Sequence, residues 1–125
     1  MPYENVWTDN GVVRTYHGDI TSKEILNSNA SIQNDPRFSD LRYIINDFSP
    51  INSCQAAAED INAIAAIDYG SSQARHIPGK IAIIASNDDL LVWVKIYFEK
   101  MKKSPYIFKL CDSTDEAYQW VSETI

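Results

Sequence analysis

Four times along this chain a strand-like run gives way to a hydroxyl, amide or thiol residue and then to a helical pattern, and this alternation constrains the fold most. Tyr3–Trp7 and Val12–His17 read as two short strands around Thr8-Asp9-Asn10-Gly11. Asn-Gly predicts a tight hairpin there, because both residues tolerate positive φ. Gly18-Asp19 should end the second strand. Thr21-Ser22-Lys23-Glu24 then offers a capping box, which predicts a helix to about Ile32, ended before Asp35-Pro36. Leu41–Phe48 has the composition of a buried central strand, and Pro50 stops it. Ser53 or Cys54 leads into an alanine-rich helix over Gln55–Tyr69, and Gly70-Ser71-Ser72 and Pro78-Gly79 bracket a loop. Lys80–Ala85 is the most strand-like segment. Ser86-Asn87-Asp88-Asp89 caps a third helix reaching about Lys103, Tyr106–Cys111 is a last strand, and Ser113-Thr114-Asp115-Glu116 caps a fourth helix turning Ala117, Trp120 and Val121 inward. The expected order is ββαβαβαβα: an α/β fold with an N-terminal hairpin, a mostly parallel sheet and crossover helices, forming one domain over residues 1–125.

Composition narrows the function. With 17 acidic against 11 basic side chains the net charge is -6, which argues against a nucleic-acid partner. The basic residues are unevenly placed, with Lys95, Lys100, Lys102, Lys103 and Lys109 facing only Glu99 in the stretch 95–109. That island is either a solvated helix end or a contact for anionic groups. The longest apolar runs, Ile81–Ala85 and Leu90–Val94, are far too short to span a bilayer, and the first residues lack the pattern of a signal peptide. Cys54 and Cys111 match no metal spacing and make no disulfide framework. The expected location is cytoplasmic, with or without peripheral contact at the inner membrane face.

The order and spacing of four segments resemble the SpoIIAA-like group, which includes STAS and CRAL-TRIO domains, and its stand-alone bacterial members in particular. These segments are Tyr16-His17-Gly18-Asp19-Ile20-Thr21, Arg42–Ser49, Lys80–Asp88 and Asp115-Glu116-Ala117-Tyr118-Gln119-Trp120. The resemblance implies a SpoIIAA-like fold across nearly the whole chain. It also implies one of two roles, a regulatory interaction module as in STAS domains or a carrier of apolar ligands as in CRAL-TRIO domains. A STAS phospho-switch needs a serine at the start of the helix after the central strand. Asp47-Phe48-Ser49 resembles the Asp-Leu-Ser that ends that strand, which makes Ser49 one candidate. Where Asp-Ser-Ser-Gly would follow, this chain has Pro50-Ile51-Asn52-Ser53-Cys54, so Ser53 is the other, unless it is a simple N-cap.

Two helices carry more information than the fold requires. In the third, Leu90, Leu91, Trp93, Val94, Tyr97, Phe98 and Met101 cover an arc of roughly 160°, wider than packing on one sheet face needs. Val92 and Ile96 lie on its otherwise polar side. The second helix is rich in alanine, anchored by Ile61 and Ile64, with Ile67 off that face. A lightly anchored helix beside an aromatic one can open a nonpolar cleft, and Lys100, Lys102 and Lys103 can meet anionic head groups beside an interfacial Trp93. The expectation is a conditional binder of a nonpolar small molecule, a lipid or a membrane surface, using Ile61, Ile64, Ile67, Leu90, Leu91, Trp93, Val94, Tyr97, Phe98, Lys100, Lys102 and Lys103. The alternatives are plain core, a homodimer seam, or the STAS-type protein contact.

No catalytic constellation emerges, so an enzyme is not expected and no metal or cofactor is called for. His17 and His76 stand outside any motif; a turn hydrogen bond with Asp19 suits His17, and an exposed loop suits His76. Asp9, Asp19 and Asp47 lack metal-ligand spacing, and the glycines form no P-loop. Cys54 reads either as a helix-N-terminal thiol of lowered pKa or as a buried structural one.

Overall fold

Tyr3–Trp7 (β1) and Gly11–Tyr16 (β2) pair antiparallel, with Trp7 opposite Val12. The computed structural model describes residues 2–75 and 77–123, so His76 lies outside the described residues. The hairpin forms where Asn-Gly signalled it, but by a different device. Among the described residues only Gly18 has positive φ, at 75°. The loop is held instead by Thr8, whose backbone N–H donates to the Gly11 carbonyl at 2.8 Å while its Oγ1 accepts from the Gly11 N–H at 3.0 Å. A Cβ at position 11 would lie 2.5 Å from the ring of Tyr43, so any other residue there would have to displace that ring.

The remaining strands of the main sheet are Tyr43–Asp47, Lys80–Ile84 and Ile107–Cys111. Numbered in chain order they are β4, β6 and β7, because two short strands intervene: Gly18–Thr21 (β3) and Ile51–Gln55 (β5). The five-stranded sheet runs β1-β2-β4-β6-β7, parallel from β2 onward. Every residue of β6 is buried, as expected of a parallel strand covered on both faces. Three helices, Ser22–Gln33 (α1), Ala58–Gln73 (α2) and Asp88–Met101 (α3), cover one face; Thr114–Ser122 (α4) covers the other. Strand alternation divides the core accordingly. Val12, Ile44, Ile81 and Ile83 point to the three helices, whereas Ile45, Ala82 and Ile84 join Ala117 of α4.

Three caps form as the sequence implies. Thr21 Oγ1 accepts from the Glu24 N–H while Glu24 Oε1 accepts from the Thr21 N–H, at 3.3 and 2.9 Å. Asn87 accepts from Leu90 N–H and Ser113 from Glu116 N–H, both at 3.1 Å. The segment before α2 differs from expectation. Gly18 bends the chain after β2 and lets β3 pair in parallel with β5 as a separate two-stranded sheet. Ser53 and Cys54 therefore lie in a strand, and neither starts a helix. The N-cap of α2 is Ala57, whose N–H donates to Ser22 Oγ of α1 at 3.1 Å, and that hydroxyl in turn donates to Asp60 at 2.8 Å. At its other end α2 continues to Gln73, absorbing Gly70-Ser71-Ser72; one exposed glycine costs a helix only about 1 kcal/mol.

Candidate functional site

A parallel-sheet face beneath helices is ordinarily filled with aliphatic side chains. Here that face also carries Arg14, which β2 turns inward between Val12 and Tyr16, and Asn46, which β4 turns inward after Ile44. Across from them α2 presents Ile61, Ile64 and Asp68, spaced i, i+3 and i+7 along one stripe. From α3 come Leu90, Trp93, Val94 and Tyr97 by the same periodicity. These groups line a cavity of about 90 Å³, apolar over most of its wall and polar at one end.

The polar end consists of two hydrogen-bonded sets. Arg14 donates from Nε and Nη2 to Asn46 Oδ1, at 3.0 and 2.6 Å, and from Nη1 to Ser28 Oγ at 3.1 Å. Ser28 also shares a hydrogen bond with the Tyr16 hydroxyl. Asp68 accepts from Gln33 Nε2 at 2.7 Å, from the Tyr97 hydroxyl at 2.7 Å, and from Asn29 Nδ2 at 3.3 and 3.1 Å on its two oxygens. Burial raises the Asp68 carboxyl above its ordinary range, and these donors together with the charge of Arg14 oppose that rise. Burial, followed by the neighbouring Asp68 charge, pushes Tyr97 well above a free phenol, so it remains a proton donor. Arg14 and Asp68 make no ion pair; those among the described residues, Arg37–Asp35 and Lys102–Glu99, are at the surface.

Of the residues singled out from the sequence, Ile61, Ile64, Leu90, Trp93, Val94 and Tyr97 come together around the cavity. The others do not. Phe98 stacks at a tilt on Phe108 of β7, 5.3 Å between centroids, and Leu91 is half-buried away from the cavity. Ile67 is 47% exposed on the outer side of α2. Lys100 borders a shallow open groove with Asn62, Ala66 and Tyr69 of α2, Lys102 donates to Glu99 at 2.5 Å, and Lys103 is exposed. At the carboxyl end of the sheet, the Ser49 hydroxyl donates to Asp47 at 2.6 Å and the Ser53 hydroxyl to Asp19 at 2.8 Å. Asp19 thus engages Ser53 rather than His17. Both cysteines are buried, and burial raises their thiols, so Cys54 is not an activated nucleophile. Sequence reasoning missed Arg14, Asn29, Asn46 and Asp68. Two of them carried a signal, because Arg14 and Asp68 are charged residues at inward-facing positions of the strand and helix periods.

Among the described residues no helix is long and apolar enough to cross a membrane. No family model matches the sequence, and no curated protein matches it either. Solved structures do match, along almost the whole chain. One is the anti-sigma factor antagonist SpoIIAA in its unphosphorylated form, with 14% identity, 98% of this chain and 99% of that chain covered, and a TM-score of 0.62. Another is an uncharacterized protein of the DUF3478 family from Shewanella loihica PV-4, with 11% identity, 95% and 91% coverage, and a TM-score of 0.57. At such identities the likeness concerns the path of the backbone rather than activity. By that path this chain has the SpoIIAA-like fold.

Proposed function

We propose that the chain is a non-catalytic protein-interaction module of the STAS type. The observation that carries this reading is the end-to-end match to a protein named for antagonising an anti-sigma factor. Fold analogy suggests a protein contact, and the surface offers a location for one. On the outer face of α3, Val92 and Ile96 stand one turn apart at 57% and 38% exposure, apolar groups on a face otherwise lined by Lys95 and Glu99.

The phospho-switch is not part of the proposal. Ser49 and Ser53 each donate to a carboxylate, so an added phosphate would face negative charge at both positions. Nor is the lipid-surface reading. Trp93 turns toward the cavity, and Lys102 pairs with Glu99.

Affinity purification with the tagged chain, comparing wild type with the Val92→Asp/Ile96→Asp double variant, tests the reading. The expected result is a defined protein retained by the wild type and reduced at least tenfold with the variant, the two chains melting alike. Equal retention by both, or no retained protein, removes the proposal. Sedimentation velocity of the purified chain alone separates a contact between copies from a foreign partner.

A further inference from the structure

The polar end of the cavity is unbalanced in its hydrogen-bonding capacity. A guanidinium carries five N–H groups, and three of those on Arg14 are taken by Asn46 and Ser28. The other two form no hydrogen bond to a described residue, and the guanidinium also lies 5.1 Å from the centre of the Tyr16 ring. On the opposite wall, Asp68 has no such reserve. Its two oxygens accept four contacts, about the full acceptor capacity of a carboxylate. The cavity therefore presents spare donors beside an aliphatic wall. Arg14 carries one positive charge, and the ionised form of Asp68 balances it. A ligand carboxylate would add an uncompensated buried anion, whereas a neutral acceptor would not.

From these groups we infer that the cavity is a binding site for a compact, uncharged, largely apolar molecule bearing one hydrogen-bond acceptor, such as a ketone or amide carbonyl. Arg14 holds the acceptor, and Ile64, Ile83, Leu90 and Val94 enclose the apolar part. Size sets the scale of the ligand. An apolar cavity of roughly 150 Å³ admits benzene. A space of about 90 Å³ therefore takes a molecule of about half a dozen heavy atoms only if a helix moves slightly outward. The helix that would move is α2, which contributes Ile61 and Ile64 to the wall. This site is internal, and the inference does not depend on the surface contact proposed above.

The test is a methyl NMR titration of the isoleucine, leucine and valine side chains with three probes of similar size at pH 7. Cyclopentanone carries the acceptor, cyclopentane lacks it, and isobutyrate carries it with a negative charge. Cyclopentanone should give saturable shifts at Ile64, Ile83, Leu90 and Val94, with cyclopentane and isobutyrate each at least about tenfold weaker. Arg14→Met should reduce cyclopentanone to the affinity of cyclopentane. The three-probe comparison in the wild type decides the matter even if that variant folds poorly. No saturable shift with cyclopentanone means there is no site. Equal affinity for cyclopentane means Arg14 recognises nothing, and preference for isobutyrate means the site takes anions. Each of these overturns the inference.

Discussion

The two faces of the sheet each bury a cation and use it differently. On the α4 face, Lys80 Nζ donates to the carbonyls of Trp120 and Glu123, at 2.9 and 3.0 Å, and lies 5.1 Å from the centre of the Trp120 ring. Positive charge at the C-terminal end of a helix is favourable and satisfies carbonyls the helix leaves open. Small and β-branched residues, Ile45, Ala82, Ile84, Cys111 and Ala117, let the short helix sit close. On the other face Arg14 lies at no helix end. It meets an amide, a hydroxyl and, at 5.1 Å, the Tyr16 ring, and Asp68 is held separately by α1 and α3. One face uses its charge to close the structure, and the other keeps donors in reserve beside a cavity. Binding capacity belongs to the second face because the donors of Arg14 are only partly engaged.

Truncating core residues should expose this difference most strongly. Ile45→Ala on the α4 face is expected to cost about 4 kcal/mol, because Ile45 is fully buried against Ala82, Ile84, Cys111 and Ala117 and its truncation leaves a cavity. Ile64→Ala, at the cavity wall, should cost about 2 kcal/mol. Urea denaturation measures both, and equal losses would mean the two faces are packed alike. Next in size, Lys80→Met should cost about 2 kcal/mol, since two carbonyls lose their donor. The accompanying increase in amide exchange should be confined to α4. Exchange rising across α1 to α3 instead would show that Lys80 supports the whole sheet.

A smaller effect distinguishes the faces by pH. The Asp68 carboxyl is raised in the folded state above 3.8. A group shifted in that direction contributes stability that is full below its unfolded value and is lost as pH rises through its folded value. Subtracting the unfolding free energy of Asp68→Asn from that of the wild type, between pH 4 and pH 8, should leave a difference that declines with pH. Asp35, lowered to about 2 by its Arg37 partner, acts in the opposite sense and cancels in the subtraction. A difference that is level or rising would show that burial does not dominate at Asp68.

Much of this architecture could be read from local patterns, and what could not was non-local. The caps at Thr21, Asn87 and Ser113 follow from residues three positions apart, and the anchors of α3 follow from its period. β3 and β5 have no such signal. GDIT and INSCQ are short and polar, and they pair only because β2 and β4, which precede them, are already neighbours. The cap of α2 comes from Ser22, 35 residues away, so no local reading places its start at Ala58. The aliphatic half of the candidate site was legible as an amphipathic stripe. Its polar half depends on Asn29 and Gln33 reaching Asp68 across a helix pair, a contact that neither helix announces alone.

The finest comparison uses two tyrosines that differ in the charge of their partners. Tyr97 donates to Asp68 Oδ2 at 2.7 Å beneath the helices, and Tyr43 shares a hydrogen bond of the same 2.7 Å with Thr8 Oγ1 at the surface. Tyr97→Phe withdraws a donor from a buried carboxylate and should cost about 1.5 kcal/mol. Tyr43→Phe leaves its ring over Gly11 and a hydroxyl that water can reach, so the change should stay within about 0.5 kcal/mol. A second readout ties the first to Asp68 itself. The Tyr97 hydrogen bond lowers the Asp68 pKa, so its removal should raise that pKa further and steepen the loss of stability with rising pH. Equal losses at both tyrosines, with no change in pH slope, would mean that Asp68 is as well served by water as Thr8 is, and the contrast between a closed face and a partly engaged one would not survive.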